Sequence, residues 1–153
     1  MTLWVDADAC PAAIKELIIR TAIRLKIITV FVANKYISTP DSAYISSRRI
    51  GMDPEAVDAY ITEHAQARDL VVTQDIPLAS ALVHKGVIVI STRGELFTEE
   101  NIGVRLSIRN FMQDIREAGG ITPGPREFGK KDRQRFSDTL DRELTKCMKG
   151  NAS

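Results

Sequence analysis

Three short apolar runs limit what this chain can fold into more than any other feature. Ile27–Ala33 reads IITVFVA, Leu70–Thr73 reads LVVT and Val87–Ile90 reads VIVI. None of them alternates apolar with polar residues. A strand with one wet face alternates, whereas a strand covered on both faces reads as a continuous β-branched run. Such runs belong inside a parallel sheet, and parallel neighbours need a crossover between them, usually a helix. The intervening segments supply it. Pro11 suits a first helical turn, and Ile14, Leu17, Ile18, Thr21, Ala22 and Leu25 then recur at helical spacing. Gly51-Met52-Asp53-Pro54 opens a second helix, with Ala56, Val57, Tyr60, Ile61 and Ala65 on its apolar face. Pro77 starts a short third helix through Leu78, Ala81 and Leu82, closed by Gly86. A fourth runs from about Glu99 to Arg116 and carries Ile102, Leu106, Met112 and Ile115.

Leu3–Asp6 adds a strand at the start, and Tyr44–Ile50 a weaker one expected at a sheet edge. Val87–Ile90 is the last strand expected. The alternation predicts an α/β fold: a mostly parallel sheet of four to five strands with helices on both faces. A chain of 153 residues fits one domain, expected over 1–150, with 119–150 as a C-terminal extension docked on the body. Gly119–Pro125 (GGITPGP) suits neither helix nor sheet. The helix expected over about Lys130–Lys149 carries Phe136, Leu140 and Leu144 four apart, a stripe that needs a surface to pack on.

The net charge of +1 selects no partner class, but its distribution is uneven. Residues 1–100 carry 10 basic and 13 acidic side chains, and residues 101–153 carry 11 and 7. A basic tail on an acidic body suits a polyanionic partner, and equally a solvated helical surface. Cys10 and Cys147 form neither a zinc pattern nor a CxxC redox pair. The N-terminus has no basic stretch before Asp6, and no apolar run approaches membrane-spanning length. The expected place is the cytoplasm, with no membrane partner.

The aspartates carry the chemistry. In a right-handed βα sheet all strands run toward one edge, and each helix starts from that edge. Asp6 ends the first strand, and Asp8 follows two residues later, expected on the same side of extended backbone. Asp75 lies two residues beyond LVVT, and Asp58 lies early in the preceding helix. All four therefore fall at the edge where open α/β sheets bind ligands. Singly, Asp8 and Asp58 also read as helix caps or solvated turn residues. Asp6 does not, because an acid ending a buried strand has no capping role. Crowded carboxylates need a cation or raised pKa values, and oxygen ligands without Cys or His suit Mg²⁺ or Mn²⁺. Asn34 and Thr73 end neighbouring strands and are candidates to orient a water or a phosphate. Arg48, Arg49, Arg93 and Arg109 are candidates to hold a phosphate backbone, although each alone also reads as a surface arginine. Cys10 stands at a helix start, which lowers a thiol pKa, beside acids that raise it. A C-x5-R phosphate loop would need Arg at 16, where the chain has Glu16. Cys10 is read as a packing residue, and His64 and His84 are assigned no role.

Several motifs are more specific. They are Val5-Asp6-Ala7-Asp8-Ala9-Cys10-Pro11, Val32-Ala33-Asn34, Gly51-x-Asp53 with Val57-Asp58-Ala59-Tyr60-Ile61, and Asp69-Leu70-Val71-Val72-Thr73-Gln74-Asp75-Ile76-Pro77-Leu78-Ala79. With Arg93-Gly94, Asn101-Ile102 and the tail residues Gly124-Pro125, Phe128, Asp132-Arg133 and Phe136, they resemble the YaiI/YqxD family from about Leu3 to Leu144. Val57 stands where alanine is common. In pattern the family is similar to the PIN-like nuclease superfamily. That similarity implies a three-layer sandwich, strand order 3-2-1-4-5, and acids holding Mg²⁺ or Mn²⁺ at the strand ends. By position Asp6 matches the strand-1 acid, Asp75 the acid of the T-x-D segment and Asp58 the acid of the preceding helix. Asp8 has no equally firm counterpart.

The function expected first is a metal-dependent nuclease acting on RNA, with Asp6, Asp58 and Asp75 as metal ligands and Asp8 in support. The first alternative is a non-catalytic nucleic-acid-binding or regulatory PIN-like domain. The second is a haloacid-dehalogenase-type phosphatase, from Asp6-x-Asp8. That chemistry usually has Thr two residues after its second Asp, where this chain has Cys10.

Overall fold

The computed structural model describes residues 1–151. Among these residues six strands and five helices follow one another: β1 (Thr2–Asp6), α1 (Ala12–Leu25), β2 (Ile28–Ala33), β3 (Ile45–Arg49), α2 (Pro54–His64), β4 (Leu70–Val72), α3 (Ile76–His84), β5 (Ile88–Ile90), β6 (Leu96–Phe97), α4 (Glu99–Glu117) and α5 (Lys130–Asn151). The sheet order is β3-β2-β1-β4-β5-β6. The chain steps outward from β1 through β2 to β3, all parallel, and then lays β4 on the other side of β1. The strand order therefore reverses between β1 and β4.

The sheet has six strands rather than four to five, and Val87–Ile90 is not the last of them. β6 pairs antiparallel to β5, with Val89 opposite Phe97. Two residues are too few to show a period, so nothing local marks this strand. The turn before it does the work: Ser91 N–H donates to the Glu95 carbonyl at 2.9 Å, and Ser91 Oγ accepts from the N–H groups of Arg93 and Glu95.

The register divides the apolar residues between two faces. Leu3, Val5, Phe31, Ala33, Leu70 and Val72 pack under α1 with Ile14, Ile18 and Ala22. Trp4, Val30, Val32, Val71 and Val89 pack on the other face against Val57 and Ile61 of α2, Leu78 and Leu82 of α3 and Ile102 of α4. Both faces are dry, which is why the strands do not alternate. Ala81, expected on the inner face of α3, is exposed, because Leu78, Ala79, Leu82 and Val83 already define that face.

The tail completes the first face. Phe136, Leu140 and Leu144 are fully buried in the same cluster as Leu3 and Phe31. Gly94 admits the close approach this requires. Its φ is +84°, and a Cβ there would stand 2.6 Å from backbone atoms of Arg135 and Phe136. Thr139 Oγ1 donates to the Gly94 carbonyl at 2.8 Å. No helix among the described residues is long and apolar enough to cross a membrane.

At the opposite edge of the sheet from the β1 carboxyl end, buried Asp69 ties β4 to β1. Its carboxylate accepts from Thr2 N–H at 2.9 Å, Gln66 N–H at 2.9 Å and Trp4 Nε1–H at 3.1 Å. Asp69→Ala leaves three donors without a partner and should cost about 3 kcal/mol, read as a lower urea midpoint. A midpoint equal to wild type would show that these bonds carry no net stability.

Candidate functional site

β1 ends at Asp6, beside the first residues beyond β4, so the reversal in strand order opens a crevice there. Thr73 bridges it. Its hydroxyl donates to Asp6 Oδ2 at 2.8 Å and accepts from Asp75 N–H at 3.0 Å. Asp75 caps α3, accepting from Leu78 N–H on Oδ1 at 2.9 Å. Asp58 projects from the second turn of α2, whose own cap is Asp53. Asp6, Asp8, Asp58 and Asp75 all line one cleft of about 340 Å³, together with Asn34 and Gln74.

Asp8 arrives there by a different route from the one expected. β1 stops at Asp6, and residues 8–9 form the turn that launches α1, so Asp6 and Asp8 do not share an extended segment. Pro11 and the helix behind it force the chain out of the strand. Asp8 instead accepts the Asn34 N–H at 3.0–3.1 Å on both oxygens. The Asn34 amide donates to the carbonyls of Ile50, Gly51 and Asp53, so that it clamps the β3–α2 connection.

The other candidates lie apart from the acids. Arg48 and Arg49 are exposed at the carboxyl end of edge strand β3. Arg109 is exposed on α4 and bonded to its neighbour Asn110. Arg93 lines an adjacent cleft, fixed by Asp132 at 3.0 Å. Gln74, which lines the acidic cleft, was not singled out from sequence. Its place between Thr73 and Asp75 was the available signal.

The carboxylates are electrostatically uncomfortable together. Asp6 is raised above the ordinary carboxylate range by burial and by the charges of Asp75 and Asp8, against the lowering effect of the Thr73 hydrogen bond. Asp58 is pushed up to about 7 by burial, by a hydrogen bond with Asp75 and by the charges of Asp75, Asp6 and Glu55. Cys10 is pushed up to about 12, chiefly by burial and then by Asp6, and is a thiol at neutral pH. The site therefore offers oxygen donors and surplus negative charge, which match a hard divalent cation. Among the described residues no group of three or more His, Cys, Asp or Glu side chains is disposed to hold a metal ion as they stand.

The raised Asp58 has a consequence for the metal-free protein. Its unfolded value lies near 3.8, so the folded state holds the proton more tightly. The stability from this group is fully present below the unfolded value and is lost as pH rises through about 7. The side chain is partly exposed, and solvent screening reduces the effect to about 1 kcal/mol. In chelator, Asp58→Asn should flatten the fall in urea midpoint between pH 4 and pH 8, limits set roughly by the two values. An identical slope in the variant would place the titration elsewhere.

A mostly parallel sheet in this order, with helices on both faces and its acids at the strand-order reversal, is a PIN-like α/β sandwich. Within that class the chain belongs to the YaiI/YqxD family. The model of that family, described as "Uncharacterized BCR, YaiI/YqxD family", matches residues 4–146. Relatives named "UPF0178 protein" are similar end to end. The one from Syntrophobacter fumaroxidans is 70% identical over 149 residues, 97% of each chain. The Myxococcus xanthus protein is 53% identical over the same share of each chain, and the Trichlorobacter lovleyi protein 48%. No solved structure matches the chain.

Proposed function

We propose that the protein is a metal-dependent nuclease that hydrolyses phosphodiesters of RNA. One observation carries this: four aspartates from three separate segments meet in one cleft, two of them with carboxyls raised by burial and by the charges of neighbouring carboxylates. Carboxylates crowded without a cationic partner are unfavourable, so a divalent cation suits the cleft. Asp6, Asp58 and Asp75 would hold Mg²⁺ or Mn²⁺, after side-chain rotation to draw them together. When bound, such an ion supplies an activated water and neutralises charge on the scissile phosphate. Thr73 orients Asp6 and Asp75 at once through a single hydroxyl. Asp8 adds charge from the α1 turn while Asn34 holds it in place. Cys10 stays protonated and takes no part.

The test is incubation of the purified protein with single-stranded RNA, single-stranded DNA and a phosphomonoester, with Mg²⁺, Mn²⁺ or chelator. RNA should be cut only with metal, and equally by Cys10→Ala. Hydrolysis of the phosphomonoester alone would instead identify an aspartate-nucleophile phosphatase. Salt-sensitive RNA binding without cleavage under either metal would identify a binding domain.

A further inference from the structure

Next to the acidic cleft lies one of opposite sign. Arg93, Arg105, Arg126 and Arg135 line a cleft of about 290 Å³, and Gln74 lines both this and the acidic cleft. The arginines come from four places: the β5–β6 turn, α4, the segment before α5, and α5 itself. Their charge is only partly balanced. Arg105 pairs with Glu95, Nε to Oε1 at 2.7 Å. Arg93 and Arg126 share the one carboxylate of buried Asp132, at 3.0 Å and 2.5–3.0 Å. Arg135 makes no hydrogen bond or ion pair among the described residues. Four guanidinium groups thus face two carboxylates.

Several contacts tie the cleft together. The Arg126 hydrogen bond, the Gly129 N–H and the two arginine charges keep Asp132 below the ordinary carboxylate range against its burial. Phe128 lies under the Arg93 guanidinium, 5.6 Å from ring centroid to Cζ. The close contact at Gly94 seats Arg135 on the β5–β6 turn. Guanidinium forks with surplus charge match the oxygens of carboxylate and phosphate anions, and a cleft beside the acids of a nuclease would meet phosphate.

We propose that this arginine cleft is an anion site that takes a phosphate group of the nucleic-acid strand, one flanking the phosphate held at the acids. The assignment rests on the nuclease reading for its ligand. The C-terminal segment, through Arg126 and Arg135, is then part of the binding surface as well as of the core. Arg135 is the informative position, because it is exposed and unpaired and its loss leaves packing intact.

Binding of fluorescein-labelled single-stranded RNA is measured by anisotropy in chelator, over a salt series, for wild type, Asp6→Asn, Arg135→Ala and Arg135→Lys. Arg135→Ala should weaken binding severalfold and lower the slope of log affinity against log salt by about 1, and lysine should restore the slope. Asp6→Asn should bind at least as well as wild type. Equal affinity and slope in wild type and Arg135→Ala would overturn the proposal, as would absence of binding by wild type at low salt. Inorganic phosphate or a nucleoside monophosphate binding as tightly as the strand would overturn the strand assignment in favour of a free phosphate ligand. Because no metal is present, strand binding through Arg135 without later cleavage would sink the nuclease reading and leave this site standing.

Discussion

On the proposed nuclease reading, Asp6→Asn should abolish metal-dependent RNA cleavage while leaving the fold intact. The change is nearly isosteric, and the amide oxygen can still accept the Thr73 hydroxyl that now bonds Oδ2 at 2.8 Å. What disappears is the central negative charge, since Asp6 stands between Asp8 and the Asp58–Asp75 pair in their mutual repulsion. The loss should exceed the roughly 10–100-fold typical of removing a mere supporting contact to a metal ligand. The metal-free variant should be at least as stable as wild type, because one source of carboxylate repulsion is gone. Cleavage by the variant at the wild-type rate, with a matching circular-dichroism spectrum and melting temperature, would show that the activity resides elsewhere.

Ending the chain after Gly120 should unfold it. Phe136, Leu140 and Leu144 are fully buried against β1, β2 and α1. Burying each such side chain is worth about 1.5–3 kcal/mol, and together they supply roughly 5–9 kcal/mol. That is comparable with the whole stability of a domain, about 5–15 kcal/mol. The truncated chain also exposes the face of the sheet they cover. Leu140→Ala is the milder form and should cost about 2–5 kcal/mol through the cavity it leaves. Thermal unfolding decides the matter: a cooperative transition at the wild-type temperature in the truncated chain would mean that the tail is not part of the core.

The inner strands were legible in the sequence because their burial on two faces leaves a local mark, a run such as IITVFVA that does not alternate apolar with polar residues. The stripe in α5 was legible for the same reason, since one buried face repeats along a helix. Asp6, Asp58 and Asp75 followed from direction: strands end and helices begin at one edge, so acids at those positions share it. β6 escaped because a two-residue strand has no period. Asp8 was placed on the wrong backbone, since the turn that launches α1 starts before it and breaks the extended segment. Asn34 lines the acidic cleft as its place at a strand end suggests, but its amide bonds to carbonyls 16–19 residues away in the β3–α2 connection, which no local pattern marks.

By itself the sequence determined the succession of elements apart from β6, the two dry faces of the sheet and the edge to which the acids belong. These depend on hydrophobic burial, which is averaged along each element and therefore visible in its residues. The tertiary structure alone decided which polar groups meet. Thr73 bonds Asp6 across 67 positions of sequence, Asp69 bonds Thr2 across another 67, and Arg93 bonds Asp132 across 39. A hydrogen bond or ion pair depends on one distance and one angle between two particular groups, and no repeat along the chain records either. For that reason the arginine cleft, assembled from four distant segments beside the acids, came into view only in three dimensions.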